Sequence, residues 1–519
     1  MKSSILEYLY ETSSIYPDKV VYRDNDSSIT FKYLREKVDS IGTAIVKVLI
    51  ESGKANADSG DISPMPIAVM TGRHVLTPAC FLGVNRAGHF YAPIEPELPD
   101  QRLAQILDVA SPQFIITDRE NLERTEAAVS EYKNETGNDI NILLMEELLQ
   151  EKADDSFLEA GKRNMTGMSP MYMIFTSGST GKPKGVLTSH YSLLCYLDGL
   201  NDVIGLDETD VLGNQSPLDY IAAVRDMYLP LFTGCETVII PRSTTAMPDQ
   251  LFGILNDNQV TTLCWSASGL EVLAKLGAFE SESIEPPKHV KRIVFSGSVM
   301  APKYLRMWQD GLPETLFINQ YGPTETTASC TYYVIKEKVE EKDTVPIGKP
   351  FKNYKVFLMP TEETEDGIGE ICVAGPALAL GYYRAEEQTN KVFIRNPKTP
   401  EYYERIYLTG DLGKYNGDGD LLFLGRKDRQ IKHMGHRIEL DEIEHQALKI
   451  EGVTQAAAMY NKEKETLYLF YTGEATPKDI VLYFRANMPS YMVPRKNIQL
   501  EEMPKLPNGK LDRSKLIME

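Results

Sequence analysis

Apolar residues along this chain fall into two alternating patterns. Short unbroken runs such as Ile67-Ala-Val-Met, Phe114-Ile-Ile-Thr and Met171-Tyr-Met-Ile-Phe175 have the length of buried strands. The longer stretches between them put apolar residues on one face at helical spacing. The spacing predicts an amphipathic N-terminal helix, a hairpin of Val20-Val-Tyr-Arg with Ser28-Ile-Thr-Phe, and a helix over 33–49. A polar loop over 51–66 follows, rich in Gly, Ser, Asp and Pro. Helices over about 75–87 and 121–133 then alternate with strands at 67–70, 114–117 and 140–144. Ser189 is placed to cap a helix whose Leu193, Leu194 and Leu197 share one face. Strands at Val238-Ile-Ile, Thr261-Thr-Leu-Cys and Arg292-Ile-Val-Phe continue the series. Strands alternating with helices predict a parallel sheet covered on both faces.

The pattern changes over 345–425, where Gly-rich turns and Tyr/Val/Leu alternation predict a small β-barrel-like region. A compact unit follows, with a capping-box helix start at Asp441 and Glu444, strands at 456–460 and 467–471, and a helix begun by Thr476-Pro477. The predicted fold class is therefore α/β. A large N-terminal domain (1–425) combines helix-covered sheets with the barrel-like region, and a small mobile α+β domain (426–519) completes the chain. A length of 519 residues also exceeds what one core usually serves.

Composition narrows the function classes. A formal net charge of −19 argues against a nucleic-acid or anionic-membrane surface. Six cysteines without CxxC spacing favour free thiols in a reducing compartment over disulfides or zinc. The N-terminal stretch lacks a signal-peptide core, and no run is long enough to span a membrane. A cytoplasmic enzyme is the expectation.

Candidate chemistry begins at Thr176-Ser-Gly-Ser-Thr-Gly-Lys-Pro-Lys-Gly185, directly after a predicted strand. Small residues let backbone N–H groups approach an anion, and hydroxyls and lysines add donors and charge. A flexible surface turn is the plainer reading. Pro183 after Gly181-Lys182 departs from the usual P-loop, which needs Ser or Thr there. Four further motifs follow in order: Asn319-Gln-Tyr-Gly-Pro-Thr-Glu-Thr-Thr327, Tyr407-Leu-Thr-Gly-Asp-Leu-Gly413, the charged run Gly425-Arg-Lys-Asp-Arg-Gln-Ile-Lys-His-Met-Gly-His-Arg-Ile-Glu439, and Pro507-Asn-Gly-Lys-Leu-Asp-Arg513. Alone, these read as a decorated turn, an uninformative T-G-D, an interdomain linker and a solvated lysine.

Together they resemble the adenylate-forming superfamily, closest to nonribosomal-peptide adenylation domains and D-alanine–carrier ligases. The resemblance covers most of the chain. It implies that ATP and Mg²⁺ are used to turn a carboxylic acid into an acyl-adenylate, which is then passed to a phosphopantetheine thiol. It implies phosphate contacts from Thr176, Ser177, Gly178, Ser179, Thr180, Gly181, Lys182, Lys184 and Thr324. Tyr321, with Gly322, would stack on adenine, Asp411 would hold the ribose, and Arg426 and Lys432 would also contact nucleotide. Glu325, with Thr176, would hold Mg²⁺, whose preference is for oxygen ligands. Lys510 would stabilise the charge of the transition state. Asp428 would be the hinge, and the Gly435 region would swing in for the second half-reaction. Tyr415 is a further candidate for the nucleotide site. Ala87-Gly-His-Phe-Tyr-Ala-Pro-Ile-Glu-Pro96 resembles a family motif to which only packing is assigned.

The substrate segment Asn214-Gln-Ser-Pro-Leu-Asp-Tyr-Ile-Ala-Ala-Val-Arg-Asp-Met-Tyr228 departs from the family. Where the family has an aspartate for an α-ammonium, this chain has Ile221, preceded by Tyr220, with Asp219 two positions early. Without that counter-charge, either the substrate lacks an α-amino group, or Asp219 reaches an amine placed elsewhere, as in a β-amino acid. Arg225 falls at a pocket-lining position; it would meet an anionic or accepting partner there, or else turn to solvent or pair with Asp226 or Asp219. Ala222, Cys264, Val294, Ser296, Gln320, Ala328 and Ser329 complete the candidate pocket. The chain ends soon after Arg513 with no carrier or condensation motif, which predicts transfer to a separate carrier protein. An acyl- or aryl-CoA ligase and an inactive binding homologue are the alternatives.

Overall fold

Two mixed sheets built on parallel strands organise the first 350 residues. The computed structural model describes residues 2–53, 63–163, 165–178, 182–360, 367–504 and 511–518. In the nine-stranded sheet, Val20–Arg23, Glu236–Ile239, Val211–Asn214, Thr262–Ser266, Arg292–Ser296 and Leu316–Tyr321 run parallel as neighbours. Antiparallel strands, including Thr331–Ile335 and Ser28–Thr30, close its edges. The seven-stranded sheet is built from Pro170–Thr176, Phe90–Pro93, Pro66–Met70, Phe114–Thr117 and Asn141–Leu144 in parallel. Lys184–Ser189 folds back antiparallel on Pro170–Thr176.

The apolar runs form strands because both of their faces are covered. All five residues of Pro66–Met70 are buried, as are all four of Phe114–Thr117. One apolar cluster joins the two sheets, from Val21, Leu212 and Cys264 to Val69, Tyr172 and Val186. Ile41 of the helix Phe31–Glu51, Leu197 of His190–Ile204 and Met227 of Ala223–Thr233 bridge them. Ser189 caps its helix as the sequence indicates, its side chain accepting from Ser192 N, a contact worth about 1 kcal/mol. The helix Asp100–Ala110 was not anticipated: its strongest start signal, Pro99 with Asp100, sits in a Pro-rich loop.

The region expected to be barrel-like is a five-stranded antiparallel sheet, with Arg405–Tyr415 paired to Ile368–Ala374, Phe393–Arg395 and Leu421–Arg426. Beyond it, the hairpin Gln430–His433/His436–Glu439 precedes a three-stranded sheet of Val453–Asn461, Thr466–Gly473 and Lys496–Gln499. This unit has its own core, including Ile438, Ile443, Leu469, Ile480 and Phe484. The expected capping box at Asp441 and Glu444 does not form. The helix Leu440–Ala447 starts without a side-chain cap, because Arg429 draws both carboxylates to itself. A charge-assisted contact outcompetes a neutral backbone N–H for those oxygens. The capping box lies instead at Thr476 and Asp479, opening Pro477–Asn487.

Candidate active site

Parallel strands deliver their C-terminal ends to one side of a sheet, where α/β folds bind ligands. Successive side chains on a strand point to opposite faces, so one strand end can serve two sites. At the end of Leu316–Tyr321, Gln320 lies beside Arg225 while Tyr321 turns to Asp411.

The nucleotide candidates assemble around that tyrosine. The Tyr321 hydroxyl donates to one Asp411 oxygen and Arg426 Nη1 donates to the other, each at 2.5 Å. Arg426 also holds Asp428 through Nε and Nη2 at 2.6 and 2.7 Å. Gly410 adopts φ +74, and a Cβ there would stand 2.6 Å from Arg426 Nη2, so the turn requires glycine. The Lys432 ammonium sits 5.5 Å over the Tyr321 ring, and burial lowers its pKa. Phe423, which the motifs did not signal, stands 6.2 Å from the same ring. Tyr321, Phe423 and Lys432, together with Gly297, Asn319 and Ile347, line a small cleft. Gly322 permits a close crossing, since a Cβ would fall 2.5 Å from Ser329 Cα. Tyr415 does not join them; it is exposed and donates to Val356 O at 3.4 Å.

The loop after Thr176 meets the C-terminal unit. Ser177 Oγ donates to Arg437 O at 2.7 Å, and Thr176 Oγ1 is buried with no partner among the described residues. Gly178 sits where a Cβ would be 2.1 Å from Lys182 O. Lys184 lies 5.3 Å over the Tyr382 ring, its pKa lowered by burial and by Arg437. Lys182 points outward to Asp108 at 2.9 Å. Ser179, Thr180, Gly181 and Lys510 lie outside the described residues. Thr324 is buried beside Glu325.

Glu325 is fully buried and accepts two hydrogen bonds from Arg437 Nη1, at 2.8 and 2.9 Å, and one from the Tyr382 hydroxyl at 2.7 Å. Burial opposes its ionisation, but Arg437 and Tyr382 hold its pKa below the usual carboxylate range. In this arrangement the pair assigned to Mg²⁺ does not fit the ion: both oxygens of Glu325 already serve a guanidinium. No cluster of three His, Cys, Asp or Glu suited to a metal occurs among the described residues. Arg437 was legible only as part of a charged run, because its partner lies over a hundred residues away in sequence.

In the pocket segment, Arg225 is fully buried, which rules out a solvent-facing side chain. Its Nη1 donates to Ser296 Oγ and Gln320 Oε1, its Nη2 to Cys264 O and its Nε to Ala222 O, at 3.2–3.4 Å. Ile221, Val294, Ala328 and Ser329 are buried too. Thr327 and Ala328 both adopt positive φ, +56 and +74, unusual for residues with a Cβ. Thr327 Oγ1, donating to Ala377 O at 2.7 Å, helps pin this strained wall. Asp219 is not part of the group. It lines a separate cleft with Val69, Thr71 and Glu95, where burial and Glu95 push its pKa up to about 7. Adjacent in a turn that keeps no strand alternation, Tyr220 and Asp219 face different clefts.

The Gly435 turn closes over the pocket, where the Tyr220 hydroxyl donates to Gly435 O at 2.6 Å. His436 stacks on Tyr491 with centroids 3.8 Å apart. The buried pair Arg102–Glu442, at 2.9 Å, joins the helix Asp100–Ala110 to Leu440–Ala447. A cavity of about 550 Å³ reaches this turn, lined by Tyr220, Ser266, Arg242, Glu271, His433 and Arg495 among others.

A family model described as AMP-binding enzyme matches residues 9–383. The chain belongs to that family. Tyrocidine synthase 3 of Brevibacillus parabrevis is 29% identical over 524 residues, covering 99% of this chain and 8% of that one. The chain spans less than half the length of the first curated relatives it matches. An artificially fused adenylation–PCP di-domain of a nonribosomal peptide synthetase from Klebsiella oxytoca shares the fold with TM-score 0.76 at 20% identity, covering 95% of this chain and 93% of that one. The o-succinylbenzoate CoA synthetase of Bacillus subtilis shares it with TM-score 0.80 at 18% identity, covering 98% of each. No helix among the described residues is long and apolar enough to cross a membrane.

Proposed function

We propose that this protein activates a carboxylic acid as its adenylate and transfers the acyl group to the phosphopantetheine thiol of a carrier protein. The observation that carries this reading is the shared strand end at Gln320 and Tyr321, which sets the acid pocket beside the nucleotide residues. A carboxylate oxygen attacks the α-phosphorus of ATP, the bond to the β-phosphate oxygen breaks, and pyrophosphate leaves. The thiol then attacks the acyl carbon, the carbon–oxygen bond to AMP breaks, and the thiol proton passes to solvent. Asp411 and Tyr321 hold the nucleoside, and Lys510 neutralises charge at the α-phosphate in the first step. The phosphate loop, Thr176 to Lys184, steadies the triphosphate.

Residues 426–519 act as a mobile domain hinged near Asp428. The arrangement with Gly435 against Tyr220 and Arg437 on Glu325 corresponds to the thiol step, and the cavity beside Gly435 admits the pantetheine arm. Mg²⁺ would bind Glu325 only in another arrangement, after Arg437 leaves. Six free, buried cysteines suit a reducing cytoplasm. The PCP fusion named among the structural neighbours favours a carrier acceptor. The test is single-turnover acyl transfer, followed by mass spectrometry, to a holo-carrier protein and to free CoA. Transfer at least tenfold faster to the carrier is expected; faster transfer to CoA would place the protein among CoA ligases.

A further inference from the structure

We propose that the acid activated here carries a second anionic group, which Arg225 receives as its counter-ion; this rests on the adenylation reading above. The Arg225 guanidinium is fully buried, yet its four hydrogen-bond partners are all neutral oxygens. Their distances of 3.2–3.4 Å exceed the 2.7–2.9 Å of charge-assisted contacts. A buried charge ordinarily has an ionic partner, and among the described residues no carboxylate hydrogen-bonds this one.

The neighbouring acid does not fill that role. Asp226 follows Arg225 on the helix, where adjacent residues do not face each other, and it accepts from Asn214 Nδ2 at 2.7 Å. Burial pushes its pKa up to about 7 against the opposing pull of Arg225, and its other oxygen is buried with no hydrogen-bond partner among the described residues. Tyr196, Tyr220 and Cys264 also lie in the field of Arg225, and burial raises the pKa of each, keeping them neutral. The fold adds positive character, since Arg225 occupies the first turn of the helix Ala223–Thr233, the positive end of its dipole.

A second, independent observation points to a ligand at the same place. Gln320 is 2% exposed, and its Nε2 is buried with no partner among the described residues while Oε1 accepts from Arg225. An anion in this pocket would accept from the guanidinium and from that orphan amide together. The pocket also disfavours a substrate ammonium, because Ile221 provides no counter-charge and Arg225 repels it. A dicarboxylic acid is the simplest substrate with these features.

The test compares matched acids with the wild-type protein by pyrophosphate release. Short dicarboxylic acids, and carboxylic acids bearing a sulfonate or phosphonate, are set against their monoamides, methyl esters and unsubstituted analogues. Amino acids complete the panel. The anionic set should exceed its neutral counterparts by about a hundredfold in kcat/KM, with the three arms separating carboxylate from other anions. Arg225→Gln should remove that advantage while leaving ATP affinity unchanged. If neutral or amino acids react as well as the anionic ones, the Arg225 assignment is overturned and adenylation stands. If no acid releases pyrophosphate, the adenylation reading fails and the assignment falls with it. Should Arg225→Gln not fold, the wild-type comparison decides alone.

Discussion

Replacing Arg437 with methionine separates the two half-reactions. Methionine keeps much of the side-chain volume and removes the charge. Glu325 is fully buried, and Arg437 supplies both of its charged contacts, at 2.8 and 2.9 Å. At an effective dielectric constant of 20, such a pair attracts by about 6 kcal/mol before desolvation is counted. Removing one member of a buried pair commonly costs about 3–5 kcal/mol, because the other charge is stranded. The Tyr382 hydroxyl would still serve Glu325, but no cationic hydrogen-bond partner would remain among the described residues. That penalty applies only while the C-terminal unit is docked, since undocking rehydrates the carboxylate. The docked population should therefore fall by roughly 10²–10⁴-fold. Single-turnover acyl transfer should slow at least a hundredfold, while ATP–pyrophosphate exchange stays within about threefold of wild type. In a Glu325→Gln background the same change should have far less effect on transfer, giving a double-mutant coupling of about 2 kcal/mol or more. Equal losses in both half-reactions would refute this account of the pair, as would an unchanged transfer rate.

Three further outcomes follow from the same structure. His89 and His190 are fully buried, and burial lowers their pKa values to about 4 and about 3; His436 falls to about 4 through burial and nearby Arg242. Below pH 6.5 the unfolded chain takes up these protons and the folded chain does not, so stability is lost as pH falls from about 6.5 towards 4, at up to about 1.4 kcal/mol per pH unit for each histidine. Urea midpoints should drop over that interval and drop less in His190→Leu; a flat profile would contradict the burial argument. Gly322→Ala should destabilise by about 1–3 kcal/mol and weaken ATP binding in calorimetry, because the added carbon meets the backbone of Ser329 at 2.5 Å and Cys330 at 2.7 Å. Asp411→Asn should raise the KM for ATP at least tenfold while leaving the preference among acids intact, and a changed acid preference would remove Asp411 from the ribose role.

Much of the fold was legible because its strands are buried on both faces and therefore appear as unbroken apolar runs. The cluster of Tyr321, Asp411, Arg426 and Asp428 was legible because its residues are concentrated in short turns. Local pattern failed where a partner is distant in sequence. Arg437 reads as one charge among many until the fold brings Glu325 to it. The helix cap at Asp441 failed for a similar reason, since Arg429 claims the carboxylate. Asp219 was misplaced because a loop does not keep strand alternation, and two positions are enough to send a carboxylate to the opposite side. For Arg225, the sequence left open whether it faced solvent; its burial against Ser296, Gln320 and Cys264 excludes that.

The most direct measurement is ATP–pyrophosphate exchange across amino, aryl, hydroxy and dicarboxylic acids, for the wild-type protein and for Lys510→Ala. The account predicts acid-dependent exchange by wild type, strongest with a dicarboxylic acid, and its loss in a Lys510→Ala variant that remains folded. Exchange that no acid stimulates would contradict the adenylation account, and full exchange by folded Lys510→Ala would contradict the role given to that lysine.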